Sequence, residues 1–255
     1  MPFDGTLTLG GDMPHDRPVH TLLVGEADFH WRGHEVSRLE GFADAVFAFA
    51  ITLLVVSLEV PKTYGELMDV MRGFAAFGVC FALLAVVWFG HYRFFRRYGL
   101  QSGWSVLLNC VLLFFVLFYV YPLKFLFVLV FTGGQIEVDQ ARTLFIVYGL
   151  GYAAVFLVFV LLYQHAWNLR EELALNPVER MKTRHSLIDN VAMVIVGLVS
   201  ALLALTVPAD MVGLAGFFYF VIGIYFTVAG KLFEKRLKRL KEEMGAAPSP
   251  AEPSA

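Results

Sequence analysis

The chain has 255 residues, of which 58% are hydrophobic and only 16% charged, and its mean hydropathy is +0.66; a soluble domain carries about 25% charged residues. This composition excludes disorder, argues against an ordinary water-soluble enzyme, and makes a membrane protein of several spans the expected class; the runs described below make the expected fold all-α. The formal charge of −2 gives no electrostatic basis for a nucleic-acid partner, and Cys80 and Cys110 lie in apolar runs that offer neither a disulfide framework nor a metal site.

Residues 1–37 form a polar extension without the basic start, apolar core and cleavage site of a signal peptide. Four of the seven histidines lie there. His30 and His34 have i, i+4 spacing, but no third ligand accompanies them, so a solvated or interface-lying segment is expected rather than a metal site. No cofactor is expected anywhere in the chain.

Six apolar stretches then follow, at 38–60, 73–92, 104–126, 143–163, 191–207 and 211–230. Each approaches the roughly 20 helical residues needed to cross about 30 Å of hydrocarbon. Their apolarity is continuous rather than alternating, which favours helices over barrel strands. Between the fourth and fifth, QHAWNLREELALNPVERMKTRHS reads as a polar helical connection broken at Pro177. After the sixth, residues 231–244 place Phe233, Leu237, Leu240 and Met244 at helical spacing beneath a basic face. A helix lying on the membrane surface is expected there in preference to one packed on a neighbouring subunit. Residues 245–255 have the composition of a disordered tail.

Orientation follows from Lys and Arg, which cytoplasmic segments retain. With the N-terminus inside, sixteen of them fall in cytoplasmic segments, against Lys62 and Arg142 on the other side. Arg72 and Lys124 sit near span ends, where long side chains snorkel. Both termini are expected in the cytoplasm.

The first span, RLEGFADAVFAFAITLLVVSLEVP, holds most of the chemical information. Asp44 lies inside it and Glu59 at its far end, and acids at such depth are costly enough to count as functional candidates. Gly41, Ala43, Ala45, Ala48 and Ala50 permit close helix approach. Wound at about 100° per residue from Phe49, Leu53 falls near 40°, Val56 near −20° and Thr52 near −60°. Glu59 flanks this stripe near about −80°, whereas Asp44 lies near about −140°.

Such a stripe also fits simple core packing. The Thr52 hydroxyl can bond the Ala48 carbonyl of its own helix, and Glu59 can be solvated at the boundary. Asp44, Trp88, His91 and Asn109 are placed at similar depth, so Trp, His and Asn offer Asp44 its donors. Unrelated residues of the membrane interface give the same pattern.

Arg38-x-x-x-Phe42-x-Asp44 followed by AVFAFAITLLVVSLEVP, with Trp88-x-x-His91 and Asn109 to Pro122, resembles the signature of the endolysosomal potassium channel family, transmembrane protein 175, and its bacterial members in particular. The resemblance implies six helices per subunit and a homotetramer whose four first helices line a central cation pore in the bacterial inner membrane. It implies pore constriction by Phe49, Leu53 and Val56, a selectivity-supporting hydroxyl at Thr52, and an anchoring network of Arg38, Phe42, Asp44, Trp88, His91 and Asn109. Glu59 falls at the outer mouth, and K+ is the permeant ion. Two departures stand out: Ala43 replaces the family's usual Ser, and Phe49 replaces its usual aliphatic residue. The chain has no TVGYG-type carbonyl filter.

Two other functions compete. A proton-coupled secondary transporter would use Asp44 and His91 as a relay, although no inverted repeat is visible. A membrane haem enzyme would draw on His91, His165 and His185, which lie near the ends of spans.

Overall fold

A computed structural model describes residues 29–33, 35–56, 62–133 and 136–246. Seven α-helices occur among them: α1 Arg38–Val56, α2 Tyr64–Tyr98, α3 Gly103–Thr132, α4 Val138–Asn168, α5 Pro177–Thr206, the short α6 Leu214–Phe217, and α7 Val221–Ala246. Among the described residues five stretches are long and apolar enough to cross a membrane: Phe74–Tyr98, Gly103–Phe131, Val138–Asn168, Pro177–Thr206 and Ala209–Met244. Over its described length α1 has nineteen residues.

Local chemistry sets the helix ends. Thr63 and Ser102 cap α2 and α3 by accepting from the backbone N–H three residues on. Asn176 and Glu179 form a reciprocal capping box at the start of α5, with Pro177 in the first turn, where a missing N–H costs nothing. The break expected at Pro177 is therefore the beginning of one unbroken helix. α2 outruns the apolar stretch 73–92 by six residues because Phe94, Phe95 and Tyr98 are buried, with Phe94 and Tyr98 both edge-on to Tyr163 of α4. Gly99, at φ +61°, ends the helix in a left-handed conformation that glycine adopts without strain.

The sixth apolar stretch departs from the continuous helix expected of it. Two 3₁₀ turns, Ala209–Met211 and Phe218–Phe220, bracket α6 before α7 begins. Pro208 precedes this run and Gly216 presses on the Phe145 ring, so backbone and packing both favour short turns here. From Val221 onward α7 runs unbroken to Ala246 and meets α5 at two points: the Phe233 ring stacks on His185 at 4.0 Å, and the Tyr225 hydroxyl donates to Asp189 at 2.9 Å.

Two subassemblies share one core. α1 packs on α2 and α3, burying Ala43, Phe47, Ala50 and Leu54, while α3 and α4 bury Leu112, Val116, Phe159 and Leu162 between the groups. α4 and α5 form the tightest pair. A Cβ on Gly149 would stand 2.5 Å from the Gly197 carbonyl oxygen, and one on Gly197 would stand 2.7 Å from that of Gly149, so only glycine permits this approach. Large apolar side chains such as Phe118, Phe125, Leu202 and Phe220 remain exposed along the bundle, as lipid-facing helices require.

Candidate pore helix and its anchoring cluster

Helix α1 starts from a capping box that is legible as Ser37-x-x-Glu40. The Glu40 backbone N–H donates to the Ser37 hydroxyl at 3.2 Å, while the Ser37 N–H and hydroxyl each donate to the Glu40 carboxylate at 2.9 Å. Glu40 is buried, and Arg96 of α2 approaches its carboxylate at 3.8 Å. Arg96 also donates to the Gly33 carbonyl at 2.9 Å, and Gly33 N–H donates to the Arg96 carbonyl at 3.1 Å.

Residues 29–33 thus form a strap from the start of α1 to the far side of the bundle. Arg32 grips Glu179 of α5 through two hydrogen bonds, of 2.9 and 3.2 Å, and His30 N–H donates to the same carboxylate at 2.7 Å. Glu179 is only 1% exposed, so these charge-assisted bonds offset its loss of water. Phe29 lies edge-on to Tyr98, beneath the Arg97 guanidinium at 4.9 Å. Glu40, Arg96, Arg32 and Glu179 were absent from the expected anchoring set; of these contacts, the cap spacing alone was visible in one dimension.

The expected polar cluster is present as two separate pairs. Trp88 Nε1 donates to Asp44 at 2.7 Å, and the Trp88 ring stacks on Tyr92 at 5.8 Å. One helical turn further along α2, His91 Nε2 pairs with Asn109 Oδ1 of α3 at 2.7 Å. His91 is 1% exposed and Asn109 fully buried, and Phe47 of α1 leans on the imidazole at 6.0 Å. Among the described residues Asp44 shares no hydrogen bond with His91 or Asn109, so Trp88 alone supplies the acid's side-chain donor.

Ala43 is fully buried, so the site where the family carries Ser is an apolar contact in this chain. Arg38 is exposed and, among the described residues, makes no ion pair. Phe42 and Phe49 are 53% and 57% exposed, and Thr52 is also exposed, its hydroxyl donating to the Ala48 carbonyl at 2.8 Å. Gly41, Ala45 and Ala48 share this open side of α1, while Ala43, Phe47, Ala50 and Leu54 occupy the covered one. Leu53 lies at the margin, half-buried against the core. Val56 ends the described helix, and Glu59 and His34 lie outside the described residues.

Lys124 does something snorkelling does not predict. Its amine donates to the Leu54 carbonyl of α1 at 2.8 Å. The histidines invoked for haem are each committed locally: His91 to Asn109, His165 to Ser102 at 3.1 Å, and His185 to Phe233. Among the described residues no group of three acidic, histidine or cysteine side chains is arranged to hold a metal.

Helices of this length and apolarity, with polar side chains paired inside the bundle, define an integral membrane protein. A family model described as endosomal/lysosomal potassium channel TMEM175 matches residues 38–131. A potassium channel of Marivirga tractuosa is 41% identical over 246 residues, covering 89% of this chain and 100% of that one. A crystal structure of a variant of the potassium channel MtTMEM175, bound to a nanobody fusion, superposes with a TM-score of 0.73 at 38% identity, covering 82% of this chain and 97% of that one. A crystal structure of a lysosomal potassium-selective channel TMEM175 homologue from Chamaesiphon minutus gives 0.53 at 28% identity, over 75% and 95% of the two chains. The chain belongs to the TMEM175 family, a family of channels and not of enzymes.

Proposed function

We propose that this protein is the subunit of a homotetrameric, potassium-preferring cation channel of the bacterial inner membrane, with six spanning helices per subunit and both termini cytoplasmic. The observation that carries this reading is the face of α1 that its own chain leaves uncovered, which combines small residues with Phe42, Phe49 and Thr52. Small residues let helices approach one another, and a ring of four such helices puts Phe49 at the axis, with Leu53 and Val56 beyond it. The potassium channel relatives support the choice of ion.

The throat works by dewetting. Apolar side chains around a narrow axis exclude water, so an ion passes only when the ring widens enough to keep part of its hydration. Potassium gives up its hydration more cheaply than sodium, so a weakly coordinating throat prefers it without a carbonyl filter. Thr52 offers a hydroxyl beside the ring, and four Glu59 side chains at the outer mouth concentrate cations. Asp44–Trp88, and His91–Asn109 behind Phe47, anchor the helix and set its rotation, while Arg38 and Phe42 of the expected set stand exposed on the open side.

Purified protein in potassium-loaded liposomes tests the proposal. Wild-type channels carry potassium faster than sodium, and Phe49→Ala raises flux and reduces that preference. A Phe49→Ala variant whose potassium flux and potassium-over-sodium preference both match the wild type would remove Phe49 from the pore.

A further inference from the structure

We propose that Lys124 is a positioning residue for the conducting helix, holding through the Leu54 carbonyl the end of α1 that carries Thr52, Leu53 and Val56. This inference rests on the reading of α1 as the pore lining. The contact is a direct side-chain to backbone hydrogen bond of 2.8 Å between α3 and α1, made one residue from Leu53 and two from Thr52 and Val56.

Three features make it more than incidental. A lysine within the apolar run YPLKFLFVLVF is costly in a membrane unless its donors are used. A snorkelling lysine would send its amine along its own helix toward water, whereas this one crosses to a neighbouring backbone. The contact also falls where α3 lacks its full hydrogen-bond ladder: Pro122, two residues before Lys124, has no N–H to give the Phe118 carbonyl. Leu54 itself is fully buried, so the grip is on the covered side of α1, opposite the open face. Movement of Lys124 therefore changes how far the open face advances toward the axis.

The test compares assembled tetramers of wild type, Lys124→Met and Lys124→Arg in liposomes by the potassium-to-sodium permeability ratio, at low and at high salt. Lys124→Met is expected to lower the ratio by about threefold or more, as loss of a hydrogen bond from a charged donor implies, and to do so at both salt concentrations. Lys124→Arg, which keeps donor and charge, retains the wild-type ratio. Where Lys124→Met does not assemble, Lys124→Leu, which also has no donor, replaces it with the same expected loss.

A wild-type ratio in the Met or Leu variant overturns the proposal. So does a change that vanishes at high salt, because a through-space field is screened whereas a displaced helix is not, and so does an Arg variant that behaves like Met. Phe49→Cys channels treated with a water-soluble thiol reagent run alongside. Unblocked current there is a failure of the pore reading, distinct from a failure of the Lys124 contact.

Discussion

Trp88 and Asp44 show how a residue-scale contact can be anticipated in depth but not in pairing. Counting helical rise brought Asp44, Trp88, His91 and Asn109 to one level, and the structure keeps them there. Partner choice depends on the rotation of three helices about their axes, which a one-dimensional pattern does not encode, and so the acid receives Trp88 while His91 turns inward to Asn109. Trp88→Phe keeps an aromatic ring for Tyr92 but removes the indole donor. We expect it to lower stability in detergent by about 1 kcal/mol, less than the roughly 1.5–3 kcal/mol of a bond to a charged group because Asp44 is exposed. Asn109→Leu should cost more, about 1–3 kcal/mol, because it strands the buried His91 nitrogen. Thermal unfolding of the two variants side by side checks the order.

At the scale of elements, the helix interiors were legible because continuous apolarity over more than a membrane's thickness admits few alternatives. Their ends were less so. The extension of α2 to Tyr98 is driven by aromatic packing on α4, and the broken start of the last span by Gly216 against Phe145, both of which are tertiary contacts. Arg142 illustrates a further contact that position alone conceals. It appeared as one of two outer basic residues, yet its guanidinium caps the end of α5, donating to the carbonyls of Ala204 at 2.6 Å, Leu205 at 2.9 Å and Val207 at 3.0 Å. Arg142→Met removes all three bonds, and we expect a loss of about 2 kcal/mol or more. Gly149→Ala tests the α4–α5 pair. Its added methyl group meets the Gly197 carbonyl and should destabilise by about 1–3 kcal/mol through forced separation of the helices. A wild-type melting temperature for Gly149→Ala would show that the two helices can part freely.

Across the whole molecule, the polar contacts divide the labour. In the proposed channel the strap and the Ser37–Glu40 cap hold the start of α1, Asp44–Trp88 and Phe47 on His91 set its rotation, and Lys124 holds it at Leu54. What is left is one uncovered face. Helical spacing grouped Phe49, Leu53 and Val56 as a stripe, which the family resemblance makes a constriction, and the structure separates the first two: Phe49 is open, whereas Leu53 is half-buried. That distinction was not available from helical spacing, which places the two within about 40° of each other.

The account therefore stands most directly on Phe49. In a chain whose Cys80 and Cys110 have been replaced, Phe49→Cys channels in liposomes are exposed to a water-soluble cationic thiol reagent while potassium current is recorded. The account predicts that the current is abolished as the thiol is modified and returns on reduction. Complete modification with undiminished current, or a thiol that never reacts in a conducting channel, would contradict it.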